Sequence, residues 1–329
     1  MNESFEQRRR EPLLQELFYQ KSVSFKEKEL ADPEVAAMLV DSSVDKARRK
    51  RNSWWCAFNT LELLIQRYSG GDSLNSLVAY GTRAFSQFQR HYAAFPDAKL
   101  KLWEPDACQY VMWLLSLAVL LGQKEWVPTI ATWISANPED GQDVLVSRLF
   151  ARLGVSLPGE SLIHEKPYTD LLRATETHGE AQQQALAAYL KRWYGGMKNC
   201  YWYDNHKHLD SGFFGYWSFE AGLVTLLWNI DDSSYRDMRF YPKDLVDFAR
   251  EQAKAPQGEV QKPHISRKTG ERCPYAGRWG VLESPGAFVQ ERMFKEGDIF
   301  PEGIGRDRSE GPVTWIVMGR EDGGPTREA

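Results

Sequence analysis

Residues 212–250, GFFGYWSFEAGLVTLLWNIDDSSYRDMRFYPKDLVDFAR, decide how this chain is read. An apolar, aromatic run carries one carboxylate, Glu220, in its middle. Asp231 and Asp232 follow where the run ends, and Tyr241–Pro242 opens a second, amphipathic run. The spacing predicts two helices joined by an acidic turn. The first begins near Gly212 and places Phe213, Trp217, Glu220, Val224 and Leu227 on one face. A carboxylate among aromatic side chains must be paired, protonated or functional, because an unpaired buried charge is costly.

Helical spacing continues toward the N-terminus. Trp54, Phe58, Leu61, Ile65 and Tyr68 form one stripe, and Leu74, Leu77, Val78, Phe85 and Phe88 another. Ser69–Ser73 stops the first helix and caps the second, and Pro96–Asp97 breaks the second. Pro105–Leu121 reads as a buried central helix, too short to span a bilayer. Further helices are expected over Trp126–Ala136, Asp143–Leu153, Tyr168–Thr175 and Ala181–Tyr194. The charged first fifty residues hold two helical stretches, 5–20 and 34–50, the second closing on the basic run KARRKR, which reads as a solvated helix face or as a contact for nucleic acid or an anionic partner.

The fold class is therefore mainly α, an antiparallel helical bundle or stacked helical hairpins. After residue 252 the composition turns to Pro, Gly and charge. Short apolar pieces at Arg278–Leu282, Ala287–Met293, Asp298–Phe300 and Val313–Met318 suggest a small β-containing or irregular module that leans on the helical body. The expected domains are 1–155 and 156–255, both helical, and an extension over 256–329.

The chain has 329 residues, 42% hydrophobic and 26% charged, which predicts a packed core. A net charge of −4 argues against direct binding to nucleic acid. The N-terminus lacks the apolar segment of a secretory signal, so a cytoplasmic protein with no membrane association is expected. Cys56, Cys108, Cys200 and Cys273 are far apart and show no metal spacing. No nucleotide-binding, phosphate-binding or nucleophile motif appears, and no cofactor is implied.

Three groups of residues could carry function. Glu220 is either a general acid or base with a raised pKa, in a glycosidase-like hydrolase, or a structural acid held by Tyr, Trp, His or Arg. No second carboxylate is placed to complete a catalytic pair, which favours the structural role. Asp204, His206, His208 and Asp210 alternate, but four such ligands on one strand cannot converge on one ion, so the segment is read as a loop. Asp231 and Asp232 form a turn that could also present exposed acids to a cationic partner. Between residues 281 and 310 seven acids stand against four bases, Glu296 and Asp298 among them, a pattern of surface solvation or of acids meant for a phosphate-holding groove.

GYWSFEAG at 215–222, NIDDSS at 229–234 and FYPKDLVDFAR at 240–250 together resemble the C-terminal helical domain of PoNi-type immunity proteins. The resemblance extends over about residues 45–250. The tail, with TGERCPYAGRWG, FKEGDIFPE and VTWIV, is similar to extensions on other immunity proteins paired with type VI secretion effectors. It implies a cytoplasmic helical protein, not an enzyme, that binds one secreted antibacterial toxin and neutralises it, a DNase in the best-known members. A homodimer is left open. A nuclease site is cationic, so a blocker should present carboxylates to it. Asp204, Asp210, Asp231, Asp232, Glu296 and Asp298 are the candidates, with Glu220 as a buried structural acid. The rival readings are a hydrolase using Glu220 and a general helical scaffold.

Overall fold

Every side chain from Ala107 to Leu121 is buried. A helix apolar all round has no solvent face to offer, so other helices must enclose it. The computed structural model describes residues 4–207, 212–254, 265–284, 287–304, 310–322 and 324–326. It divides into two compact units, Met1–Lys254 and Ala255–Ala329.

The first unit is helical. In chain order it holds α1 (Phe5–Arg8), α2 (Glu16–Leu30), α3 (Pro33–Val40), α4 (Lys46–Ser69), α5 (Leu74–Ala94), α6 (Pro105–Leu120), α7 (Val127–Trp133), α8 (Val144–Arg152), α9 (Glu165–Glu176), α10 (Gly179–Gly196), α11 (Phe219–Leu227) and α12 (Lys243–Lys254). The central helix α6 packs against α5, α7, α11 and α12. α4 with α5 and α9 with α10 form antiparallel hairpins, the stacked arrangement expected of this pattern. Gly71, with φ +87°, makes the turn after α4, and Ser73 caps α5 by accepting from the Ser76 amide.

Two expectations for the first fifty residues shift. Glu11–Leu14 interrupts the 5–20 stretch, and the helix resumes as α2 to Leu30. KARRKR opens α4 rather than closing a helix, behind an Asp45 cap that accepts from the Arg48 amide. The N-terminal segment is built into the body. Arg8 donates to Gly70 O and Asp72, and Arg10 to the Tyr68 and Asp72 carbonyls.

The run 212–218 is not helical, and α11 begins only at Phe219. Gly215 has φ +109°, and a Cβ there would lie 2.1 Å from Ser69 Oγ. Only glycine lets this buried, extended strip approach α4 so closely. Side chains then meet the backbone that a helix would have satisfied internally. Gln66 donates to Phe213 O, Ser69 Oγ to Phe214 O, and the Tyr216 amide to buried Glu11. Phe213 and Trp217 therefore precede the helix that carries Glu220.

The second unit is a four-stranded antiparallel sheet ordered β1 (Ser266–Lys268), β6 (Thr314–Arg320), β2 (Gly277–Ser284), β3 (Ala287–Phe294). A short pair, β4 (Gly303–Ile304) and β5 (Glu310–Gly311), accompanies it. The low apolar content of the tail is offset by large rings. Trp279, Phe294, Phe300 and Trp315 pack with centroids 4.7–5.9 Å apart, and Ile265, Cys273, Val281 and Val317 complete a core of the unit's own.

Candidate functional site

Glu220 sits in the first turn of α11 and is fully buried. Its Oε1 accepts from Tyr189 OH and Trp193 Nε1, each at 2.6 Å, and from Ser218 Oγ at 3.1 Å. Tyr189 and Trp193 are one helical turn apart on α10, so one oxygen ties α10 to α11. Oε2 is buried with no hydrogen-bond partner. Burial pushes the carboxyl pKa up, against the three donors that pull it down. Trp193 stacks on Trp202 and packs on Phe240, so aromatic surface encloses the donors as well. This is the geometry of a structural tie. The carboxyl reaches no solvent, as proton exchange with a substrate would require.

Asp231 and Asp232 form the expected turn but face opposite ways. Asp231 is exposed and accepts from the amide and hydroxyl of Ser233. Asp232 is buried, which corrects its reading as an exposed acid. It accepts from Tyr241 OH at 2.9 Å, Arg236 at 3.1 Å and Arg250 at 3.1 Å. Its neighbour Arg250 also donates to Ile230 O, and Arg236 pairs with Asp247. Burial opposes ionisation of Asp232, but Tyr241 and the two guanidiniums outweigh it and hold the pKa below the usual carboxylate range. Asp232 therefore joins the turn to α12 and is buried away from any partner.

Asp204 lies half-buried at a left-handed backbone position, φ 64°. It accepts from Tyr194 OH and Lys207 Nζ, each at 2.7 Å, and Lys207 first, then Tyr194, lower its pKa. His206 Nδ1 is 2.8 Å from Tyr216 OH. His208 and Asp210 lie outside the described residues. Among those described, no three His, Cys, Asp or Glu side chains gather as a metal site. The four cysteines are buried and free. In the second unit Glu296 and Asp298 are exposed on a turn, where Asp298 accepts from the Lys295 amide at 2.7 Å.

Two family profiles match the chain. The PoNe immunity protein (PoNi) N-terminal profile covers residues 10–132, and the C-terminal profile of the same family covers residues 141–245. The chain belongs to the PoNe immunity protein family. The N-terminal match begins well before residue 45, so α2 and α3 are part of the family's own architecture. Glu220, Asp204, Asp231 and Asp232 all fall within the C-terminal match. Neither profile reaches the second unit. The fold is also similar to a crystal structure, protein PA2201 from Pseudomonas aeruginosa. The two share 20% identity and a TM-score of 0.55 over 74% of this chain and 92% of that one. No curated protein shows significant similarity to the chain. As a PoNe immunity protein it acts on a cognate toxin as inhibitor. Among the described residues no helix is long and apolar enough to cross a membrane.

Proposed function

We propose that this immunity protein works in the cytoplasm by binding a nuclease toxin, a DNase delivered by a type VI secretion system, and covering its active site. Membership of the PoNe immunity family carries this reading. Three physical points support it. The net charge of −4 suits a partner whose site must hold phosphate. Exposed acids stand at turns, where a partner can reach them: Asp231 on the helical unit, and Glu296 and Asp298 on the second. Glu220, the one acid suited by position to hydrolytic chemistry, is closed off. Residues 1–155 and 156–255 form the helical part of the inhibitor, and 256–329 adjusts the choice of partner.

The test is to purify the protein encoded beside this chain's gene, measure its cleavage of plasmid DNA, and titrate in the chain. Stoichiometric loss of cleavage is expected. A neighbour that cuts no DNA removes the nuclease assignment. A neighbour whose activity continues at saturating chain removes the inhibitor role for that pair.

A further inference from the structure

A circuit of contacts closes through the middle of the helical unit. Tyr168 OH donates to Gln109 Oε1 at 3.0 Å, and the Tyr168 ring stacks on Tyr189 with centroids 6.3 Å apart. Tyr189 OH and Trp193 Nε1 both donate to Glu220 Oε1 at 2.6 Å. Trp193 stacks on Trp202 at 5.4 Å, and Trp202 packs on Trp113 at 5.9 Å. Trp113 lies one turn after Gln109 on the same face of α6, which completes the circuit. None of these seven side chains is more than 3% exposed, so bulk solvent does not reach them.

Four polar atoms of the circuit have no partner in the protein: Gln109 Nε2, Trp113 Nε1, Trp202 Nε1 and Glu220 Oε2. Ser116 Oγ, one turn beyond Trp113 on α6, is a fifth. Elsewhere among the described residues only Arg67 Nε and Gln123 Oε1 are buried and unpaired. Buried polar groups are nearly always satisfied, by protein or by ordered water, so this concentration calls for an occupant.

The unpaired atoms are of two complementary kinds. Gln109, Trp113 and Trp202 offer N–H donors, and Glu220 Oε2 offers lone pairs. They belong to one neighbourhood. Burial first, and then nearby charges that include Glu220, push up the pKa values of Tyr168, the partner of Gln109, and of Cys108, its neighbour in sequence. Yet no N–H reaches Oε2 directly. The occupant must accept from the N–H groups and also meet a carboxyl. A metal ion is refused by the N–H donors, and an anion is repelled by a carboxylate. Water serves both sides, donating to Glu220 when it is ionised and accepting from it when it is protonated.

We propose that internal water bridges Glu220 Oε2 to Gln109 Nε2, and that the indole N–H groups of Trp113 and Trp202 bind the same cluster. The bridge extends the tie between α10 and α11 to the central helix α6, and through Tyr168 to α9. The test uses the full chain. Crystals grown in sodium bromide should show density at about 2.7–3.2 Å from both Gln109 Nε2 and Glu220 Oε2, with no anomalous bromide signal. In solution, chain labelled with 15N at the tryptophan indoles should give rotating-frame cross-peaks from water to the indole protons of Trp113 and Trp202. Trp202→Phe assigns the second of these by its loss. A bromide peak at the site would make the occupant an anion and overturn the proposal. So would a Gln109 amide bonded directly to Glu220, with neither density nor water cross-peaks.

Discussion

Trp193 donates its indole N–H to Glu220 Oε1 at 2.6 Å, and this contact helps to tie α10 to α11 through a carboxyl that never meets solvent. Tyr189 and Ser218 use the same oxygen. Removing the carboxyl leaves three buried donors without an acceptor and opens a cavity. Glu220→Ala should therefore cost about 3 kcal/mol or more in urea unfolding. Glu220→Gln keeps an oxygen for the donors and should cost roughly 1 kcal/mol. The pH dependence separates the two states of the acid. Because burial raises its pKa in the folded chain, the folded state holds the proton more tightly than the unfolded state. The resulting stability is complete below the unfolded value of 4.5 and is lost as pH rises through the folded value. The gap between wild type and Glu220→Gln should narrow as pH rises. A gap that widens would mean the carboxylate is preferentially charged in the fold.

The adjacent acids Asp231 and Asp232 should respond to substitution in opposite ways. Asp232→Asn leaves Arg250 and Arg236 without their shared carboxylate and weakens the Tyr241 contact, a loss of roughly 2–3 kcal/mol in thermal or urea unfolding. Asp231→Asn removes only local turn contacts and should stay within about 0.5 kcal/mol. Asp231→Lys is then a clean probe of toxin binding, and a slower, less salt-dependent association is expected if the turn faces the cationic partner. Equal stability losses at the two positions would show that Asp232 is not the joint described above.

The helices with clear apolar stripes were legible because their residues are buried on the faces the spacing predicts. Leu61, Ile65 and Tyr68 in α4 are of this kind, as is the whole of α6. The strip 212–218 was misread because its aromatic spacing also fits a helix. What prevents the helix is distant in sequence: Gln66 and Ser69 take its carbonyls and Gly215 is pressed against Ser69. Asp232 was misplaced for a related reason. Its aspartate neighbour looks the same in sequence, Arg236 and Tyr241 lie on the irregular stretch just beyond it, and Arg250 reaches it only when α12 folds back. Glu220 was readable as a buried acid because its own neighbours in sequence are apolar, although its donors come from α10.

Arg10 shows how firmly the N-terminal segment belongs to the fold. Its guanidinium stands over the Tyr68 ring, 4.7 Å from the centroid, donates to the Tyr68 and Asp72 carbonyls at 2.9 Å each, and pairs with Asp244 on α12. Asp244 in turn accepts from Tyr68 OH at 2.5 Å. Arg10→Ala should cost about 3 kcal/mol by stranding these acceptors. Arg10→Lys keeps the charge but not the planar fork of donors and should recover less than half of the loss. A variant that unfolds at the wild-type urea midpoint would show that the N-terminal segment adds nothing to the body.

His91 should make the helical unit less stable in acid. It is buried on α5, with Nδ1 3.1 Å from Ser53 Oγ and its ring packed against Trp54, Tyr92 and Phe95. Burial first, and the charge of Lys50 second, push its pKa down to about 4 from 6.5, with Asp97 opposing. The unfolded chain therefore binds a proton here that the folded chain refuses, and it does so between pH 6.5 and about 4. The stability from this site is complete above the unfolded value and is lost as pH falls toward the folded value. By pH 4.5 the loss should be roughly 2–3 kcal/mol. His91→Gln carries no such proton, so its unfolding free energy should change less than that of wild type between pH 7.5 and pH 4.5, by about that amount. Parallel curves for the two proteins would mean that His91 titrates freely in the folded state.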